Sequence, residues 1–75
     1  MSESQLYIAV GKKIKECRER IGISQQELAD RCNFEKSNMS RIEAGRTNPT
    51  LKSLFLISKA LDIPLKNLFE LELSI

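Results

Sequence analysis

The chain has 75 residues, of which 41% are hydrophobic and 29% are charged, and its formal net charge is +2. A chain of this length forms one domain at most, and its apolar fraction favours a globular over a disordered protein. It has no apolar run near the roughly 18 residues that a membrane span needs, and its N-terminus lacks a signal-peptide layout. We therefore expect a cytoplasmic protein with no membrane partner.

The residue types give little support to catalysis or metal binding. The sequence has no histidine, which excludes a His general base and a catalytic triad built on one. It also has no Gly-rich phosphate loop, so an enzyme is not predicted. Cys17 and Cys32 fall where a helical apolar face takes small residues. They are expected as buried, reduced thiols rather than as a disulfide or a ligand pair, and no metal or cofactor is predicted.

Helical spacing recurs along the chain and predicts an all-α fold. The first helix is predicted over about residues 5–21, where four apolar residues recur at intervals of four, three and four. This spacing puts them on one stripe that faces the core, and the other faces of the helix are charged. The stripe consists of Val10, Ile14, Cys17 and Ile21.

The second helix, over about 25–32, has a well-marked beginning. Ser24 is placed as its N-cap, and Glu27 follows three residues later to close a capping box. Ile23 and Leu28 are spaced to form a hydrophobic staple across that start. The third helix is predicted over about 36–44. It ends before Gly45, the residue type best able to adopt the left-handed conformation after a helix.

Two further helices follow a polar loop. Thr50 is the expected N-cap of a fourth helix over about 51–61, whose inner stripe is Leu54, Ile57 and Leu61. A short fifth helix is predicted after Pro64, carrying Leu68 and Phe69. Residues 70–75 alternate apolar and polar residues, and they are expected as a tail or a short strand. The whole chain, 1–75, is predicted to be a single domain.

The second and third helices flank a turn of about four residues, which predicts a helix-turn-helix over about 25–44. Asn33 can take the left-handed backbone conformation that a sharp exit from the second helix requires. Met39 and Ile42 lie on one side of the third helix and are expected to bury against Leu28 and Cys32. The opposite face is small and polar with one long cation, a shape suited to approaching base edges. It consists of Ser37, Ser40, Arg41 and Ala44, with Lys36 and Asn38 on its flanks.

Charge is concentrated in the middle of the chain. Residues 1–35 carry six basic and six acidic side chains, whereas residues 36–59 carry five basic and one acidic, a local excess of four positive charges. Such an excess is typical of a one-sided DNA footprint. A small helical bundle with merely solvated cations would give the same count.

Several short fragments occur in an order and spacing that are specific together. They are Gly11, 14–18, 24–25, 27–29, Ile42-Glu43-x-Gly45, Pro49-Thr50, 61–64 and Leu68-Phe69. In these fragments the chain resembles the Xre-type family, whose helix-turn-helix domains are similar to phage repressor and Cro proteins. The resemblance implies a five-helix lambda-repressor-like domain, homodimers on palindromic operators, and transcriptional control. It also implies that Arg18 and Glu43 pair across the core.

The resemblance and the outward face of the third helix together give the predicted site. Residues at or beside the family's base-reading positions are Lys36, Ser37, Asn38 and Arg41. Those predicted to contact DNA phosphates, at the start of the second helix, on the third helix and in the following loop, are Gln25, Gln26, Ser40, Arg46, Thr47 and Asn48.

Two functions remain open from the sequence. The first is a transcriptional regulator that binds double-stranded DNA as a homodimer, such as a restriction-modification controller or a phage-type repressor. The second is an antitoxin-like module that sequesters a toxin and regulates its own operon.

Leu68 is expected in the core. The residues predicted at the homodimer interface are Leu65, Phe69, Leu71 and Leu73.

Overall fold

The computed structural model describes residues 1–71 of the chain. Within this range there are four α-helices, a final 3₁₀ helix and no strand. Their bounds are α1 Glu3–Arg20, α2 Gln25–Cys32, α3 Lys36–Glu43, α4 Leu51–Ala60 and the 3₁₀ helix Leu65–Phe69. The all-α, helix-turn-helix class is confirmed, although the fifth helix of the predicted five is a 3₁₀ helix.

The beginning of α1 lies two residues before the predicted one, because of a capping box at Ser2. Its hydroxyl accepts a hydrogen bond from the Gln5 backbone N–H (3.2 Å), and Gln5 Oε1 accepts one from the Ser2 N–H (2.8 Å). The spacing Ser-x-x-Gln is the sequence signal for this cap. At the other end, Ile21 lies beyond the helix and is 47% exposed, so its predicted place on the buried stripe was wrong.

The start of α2 is capped as predicted, but only in one direction. Ser24 Oγ accepts a hydrogen bond from the Glu27 N–H at 3.0 Å. The reciprocal half of the capping box is not formed, because the Glu27 carboxylate accepts a hydrogen bond from Arg31 one turn further on, at 3.1 Å. Leu28 is fully buried, and the half-buried Ile23 packs against the same core.

The core draws residues from all five elements, which explains how so short a chain excludes water from its centre. Cys17 and Cys32 are both buried free thiols, and burial raises the pKa of the Cys32 thiol. The apolar core residues within 1–71 are Val10, Ile14, Cys17, Leu28, Ala29, Cys32, Met39, Ile42, Leu54, Ile57, Leu61 and Leu68.

The chain leaves α4 sharply and enters the 3₁₀ helix. Asp62 adopts a left-handed conformation (φ 58°), and its N–H donates to the Lys59 carbonyl. A 3₁₀ helix stacks residues three apart on one face. Leu68 is fully buried, and Leu65, three residues earlier, packs partly against the same core. The prediction of Leu68 as a core residue is confirmed.

The position of α3 relative to α1 depends on Gly11. A Cβ added at Gly11 would lie 2.5 Å from the carbonyl oxygen of Glu43 and 2.6 Å from that of Ile42. These are backbone atoms at the end of α3 and have no side-chain freedom with which to move away. The close approach of the two helices therefore requires glycine at this position.

We expect Gly11→Ala to destabilise the protein by about 1–3 kcal/mol in denaturant unfolding, because overpacking forces backbone shifts. Helix propensity alone has the opposite sign, since alanine is favoured over glycine inside a helix by about 0.5–1 kcal/mol. Gly22→Ala is the control: that residue has φ +74° and open space around a Cβ, so only the left-handed conformation opposes the change, by about 1–2 kcal/mol. A Gly11→Ala protein more stable than the parent would contradict the close approach.

Candidate nucleic-acid interface

The turn between α2 and α3 is fixed by the backbone of Asn33. This residue is left-handed (φ 58°, ψ 39°), and its N–H donates to the carbonyls of Ala29 and Asp30. The next residue, Phe34, donates its N–H to the Ala29 carbonyl at 2.8 Å. These bonds end α2 and turn the chain at once into α3. The predicted left-handed role of Asn33 is confirmed, and Glu35 makes no side-chain cap for α3.

The two sides of α3 are as different as the sequence predicted. Met39 is fully buried and Ile42 is 3% exposed, and both belong to the core that contains Leu28 and Cys32. The opposite side lies in solvent. Its exposed residues are Lys36, Ser37, Ser40, Arg41 and Ala44, and Asn38 is half-buried.

The loop after α3 is held against α1. Gly45 is left-handed (φ 72°), and a Cβ there would lie 2.6 Å from Ile8 Cα. The following residue, Arg46, donates its backbone N–H to the Arg41 carbonyl at 3.0 Å. The side chains of Arg46 and Asn48 are exposed, and Thr47 is half-buried. The predicted phosphate-contacting loop therefore leaves α3 in a fixed direction.

A buried ion pair joins α1 to the end of α3. Arg18 donates from Nε to Glu43 Oε2 (2.8 Å) and from Nη2 to Glu43 Oε1 (3.0 Å). The remaining nitrogen, Nη1, donates to the Ile23 carbonyl at 2.8 Å. The hydrogen bond to Glu43 raises the pKa of Arg18. The pairing implied by the family resemblance is confirmed, and the two side chains are only 11% and 3% exposed.

The same carboxylate holds the first residue of α2. Gln25 Nε2 donates to Glu43 Oε1 at 3.2 Å, so Glu43 accepts from both α1 and α2. The neighbouring Gln26 is exposed and donates from Nε2 to Asp30 Oδ1 at 2.8 Å. Sequence reasoning missed both amide partners. The Gln26–Asp30 spacing of four residues was a readable signal, whereas the Gln25–Glu43 contact spans 18 positions and depends on the tertiary fold.

The charge excess of residues 36–59 remains at the surface. Its one acidic residue, Glu43, is buried and already neutralised by Arg18. Within residues 1–71, Lys36, Arg41 and Arg46 form no ion pair with a carboxylate. The exposed cations of α3 and the loop are therefore available to an anionic partner.

The apolar residues outside the core differ from the predicted set. Leu65 and Leu71 are half-buried against the core of their own chain, whereas Phe69 is 45% exposed. Leu73 lies outside the described residues. Sequence reasoning missed Leu51 (69% exposed) and Phe55 (48% exposed), which lie four residues apart on α4, off its inner stripe.

Within residues 1–71 no group of three or more Cys, Asp or Glu side chains is placed to hold a metal ion. None of the helices in this part of the chain combines the length and apolar character that a membrane crossing requires.

The chain matches the family described as Helix-turn-helix, HTH_3, over residues 14–68, from within α1 to within the 3₁₀ helix. SinR of Bacillus subtilis (strain 168), an HTH-type transcriptional regulator, is 36% identical over 62 residues, which cover 81% of this chain and 56% of SinR. The control protein C.BamHI of Bacillus amyloliquefaciens is 31% identical over 68 residues, covering 89% of this chain and 84% of C.BamHI. The immunity repressor of Bacillus phage phi105 is 36% identical over 56 residues, covering 75% of this chain and 39% of the repressor. The chain thus spans about half the length of several curated relatives.

Solved structures agree with this assignment. The restriction-modification controller protein C.AhdI from Aeromonas hydrophila superposes with a TM-score of 0.85 at 29% identity, covering 87% of this chain and 98% of C.AhdI. The wild-type controller C.Esp1396I superposes with a TM-score of 0.79 at 37% identity, covering 87% of this chain and 84% of that one. The chain belongs to the helix-turn-helix family HTH_3, as its resemblance to the Xre-type proteins indicated.

Proposed function

We propose that this protein is a sequence-specific transcriptional regulator that acts in the cytoplasm and binds a palindromic operator as a homodimer, with α3 in the major groove. Base edges are read by Lys36, Ser37, Asn38 and Arg41. Phosphates of the duplex are held by Gln25, Gln26, Ser40, Arg46, Thr47 and Asn48.

The observation that carries the proposal is the exposed face of α3. A major groove about 12 Å wide admits a helix about 10–12 Å in diameter, and only when no bulky apolar side chain stands in the way. The outward residues Ser37, Ser40 and Ala44 are small, and Arg41 extends beyond them with no carboxylate partner in residues 1–71. Arginine is the side chain that most often contacts guanine O6 and N7.

The homodimer is supported by exposed apolar side chains on α4 and on the 3₁₀ helix. Leu51 and Phe55 lie four residues apart and share one face of α4. The ammonium of Lys59, one turn later, is 5.4 Å from the centroid of the Phe55 ring. Phe69 is exposed on the 3₁₀ helix. A two-fold interface uses the same patch on both copies, and we assign these residues to it.

The control protein C.BamHI and the restriction-modification controller C.AhdI match this chain over most of their own length, which supports a control function of that kind for this chain. The antitoxin alternative rests on the same exposed apolar residues, since a toxin would cover Leu51 and Phe55 in place of a second copy. The two proposals are separated by the oligomeric state of the purified protein in the absence of any other protein.

The test combines DNA selection with sedimentation. The purified protein is offered a random duplex pool, and we expect it to enrich an inverted repeat whose half-sites are about 10–10.5 base pairs apart. Sedimentation at micromolar concentration is expected to show a dimer, and Phe55→Glu is expected to shift it to monomer. Enrichment of no sequence, or a protein that is monomeric with and without DNA, would contradict the proposal.

A further inference from the structure

A cleft of about 310 Å³ lies where α1, the start of α2 and the end of α3 meet. Two of its lining residues, Ser40 and Ala44, also belong to the exposed face of α3. The cleft therefore opens beside the surface that the proposed function places on DNA. Its lining residues are Lys15, Arg18, Gln25, Ser40, Glu43 and Ala44.

The charges inside the cleft do not cancel completely. Arg18 and Glu43 neutralise each other, and both Glu43 oxygens already accept hydrogen bonds. This leaves Lys15, which is exposed and forms no ion pair within residues 1–71. Its neighbour Glu16 is instead paired with Lys13 and Arg20, at 3.9 Å and 3.0 Å. The lining residues of the cleft thus carry one net positive charge.

The cleft also offers neutral hydrogen-bond donors. Ser40 has a hydroxyl at its edge. The Gln25 amide gives one of its two N–H groups to Glu43 and keeps the other. A lysine, a hydroxyl and an amide N–H are the groups that contact phosphate oxygens in protein–DNA complexes. A helix in the major groove fills most of its width, so the phosphates on either side of the groove lie beside the helix. The cleft opens on one such side of α3.

We propose that Lys15 is a further DNA-binding residue, which with Ser40 and Gln25 holds a backbone phosphate of the strand beside α3. The inference rests on the proposed DNA-binding function and adds α1 to its interface. Lys15 contributes affinity and no base preference, because a phosphate contact carries no sequence information.

The test compares Lys15→Ala with Lys12→Ala on the duplex selected by the parent protein. Both lysines are exposed on α1, and both changes remove one charge, but Lys12 lines a different groove with Ala9 and Glu70. Each phosphate that a protein ceases to neutralise lowers the magnitude of the slope of log affinity against log salt by about 0.9. In a dimer we expect Lys15→Ala to lower the magnitude of this salt slope by about 1.8. Lys12→Ala is expected to lower the magnitude by less than half as much, and Lys15→Arg is expected to keep the parent slope.

Scrambled duplex and unfolding measurements complete the test. We expect Lys15→Ala to lose affinity equally on selected and scrambled DNA, with denaturant midpoints of both variants at the parent value. If the parent binds its operator, two results would overturn the role of Lys15. One is a salt slope of Lys15→Ala whose magnitude is no lower than that of Lys12→Ala, and the other is a loss of affinity by Lys15→Ala on the selected sequence alone. If the parent protein binds no duplex at any salt concentration, the proposed function is overturned together with this inference.

Discussion

Removing the Glu43 carboxylate is expected to destabilise the protein by about 3–5 kcal/mol, because it leaves a buried cation without its counter-charge. The Arg18 side chain is 11% exposed and cannot shed its charge, since arginine stays protonated in proteins. After Glu43→Ala, only the hydrogen bond from Nη1 to the Ile23 carbonyl remains for it. Gln25 also loses the oxygen to which it donates. The loss thus reaches α1, α2 and α3 together.

The chain contains a matched control for this effect. Arg31 and Glu27 also form an arginine–glutamate bond, at 3.1 Å, but their side chains are 44% and 52% exposed. An exposed pair contributes about 0–1 kcal/mol, because water solvates the separated charges almost as well. Glu27→Ala is therefore expected to change the free energy of unfolding far less than Glu43→Ala, although the two changes delete the same side chain.

A double-mutant cycle measures the pair itself. We expect Glu43→Ala and Arg18→Ala to be strongly non-additive, with the double variant more stable than the sum of the single losses predicts, since no unpaired charge is then left buried. Denaturant unfolding of the four proteins gives the coupling energy. A coupling near zero, equal to that of the Arg31–Glu27 cycle, would contradict a buried, interacting pair.

The parts of the fold that could be predicted from the sequence are those with local physical causes. The Ser24 cap, the left-handed Asn33 and the glycine after α3 each depend on residues within a few positions of one another. The buried side of α3 followed from helical periodicity, because Met39 and Ile42 are three residues apart. The all-α class and the bounds of α2 and α3 therefore needed no knowledge of tertiary contacts.

The parts that could not be predicted depend on which elements meet in space. Nothing near Gln25 in the sequence indicates that Glu43, 18 residues away, fixes its amide. The same is true of the cleft that brings Lys15 beside Ser40. Leu65 and Leu71 look unpartnered in the sequence, but the packing of the 3₁₀ helix half-buries them against their own chain, which weakens the case for them at a dimer interface.

Arg41→Ala is expected to cost about 1–3 kcal/mol of binding free energy for each half-site and to relax the preference at one base pair. The reason is geometric: Arg41 lies on the exposed face of α3, where a base edge would lie. Its guanidinium forms no ion pair with a carboxylate within residues 1–71. In a dimer the change occurs twice, so the loss on a full palindrome approaches double the figure for one half-site.

Arg46 is the matched comparison, because it is also an exposed arginine with no ion pair in residues 1–71. It differs in place: it lies beyond Gly45, in a loop whose direction is fixed by the close packing of that glycine on Ile8. With α3 in the major groove, as proposed, a side chain that leaves the loop just after this helix is expected to meet a phosphate. Arg46→Ala should then weaken binding to every duplex alike and lower the magnitude of the salt slope by about 0.9 for each phosphate that is no longer neutralised.

The two variants are compared on selected and scrambled duplexes across a salt series. A base-reading side chain adds affinity only where the right base is present, so Arg41→Ala should reduce the ratio of selected to scrambled affinity, whereas Arg46→Ala should leave that ratio unchanged. Equal losses on both duplexes for Arg41→Ala would assign Arg41 to the DNA backbone. Sequence reading would then depend on Lys36 and Ser37, which are exposed on α3, and on the half-buried Asn38.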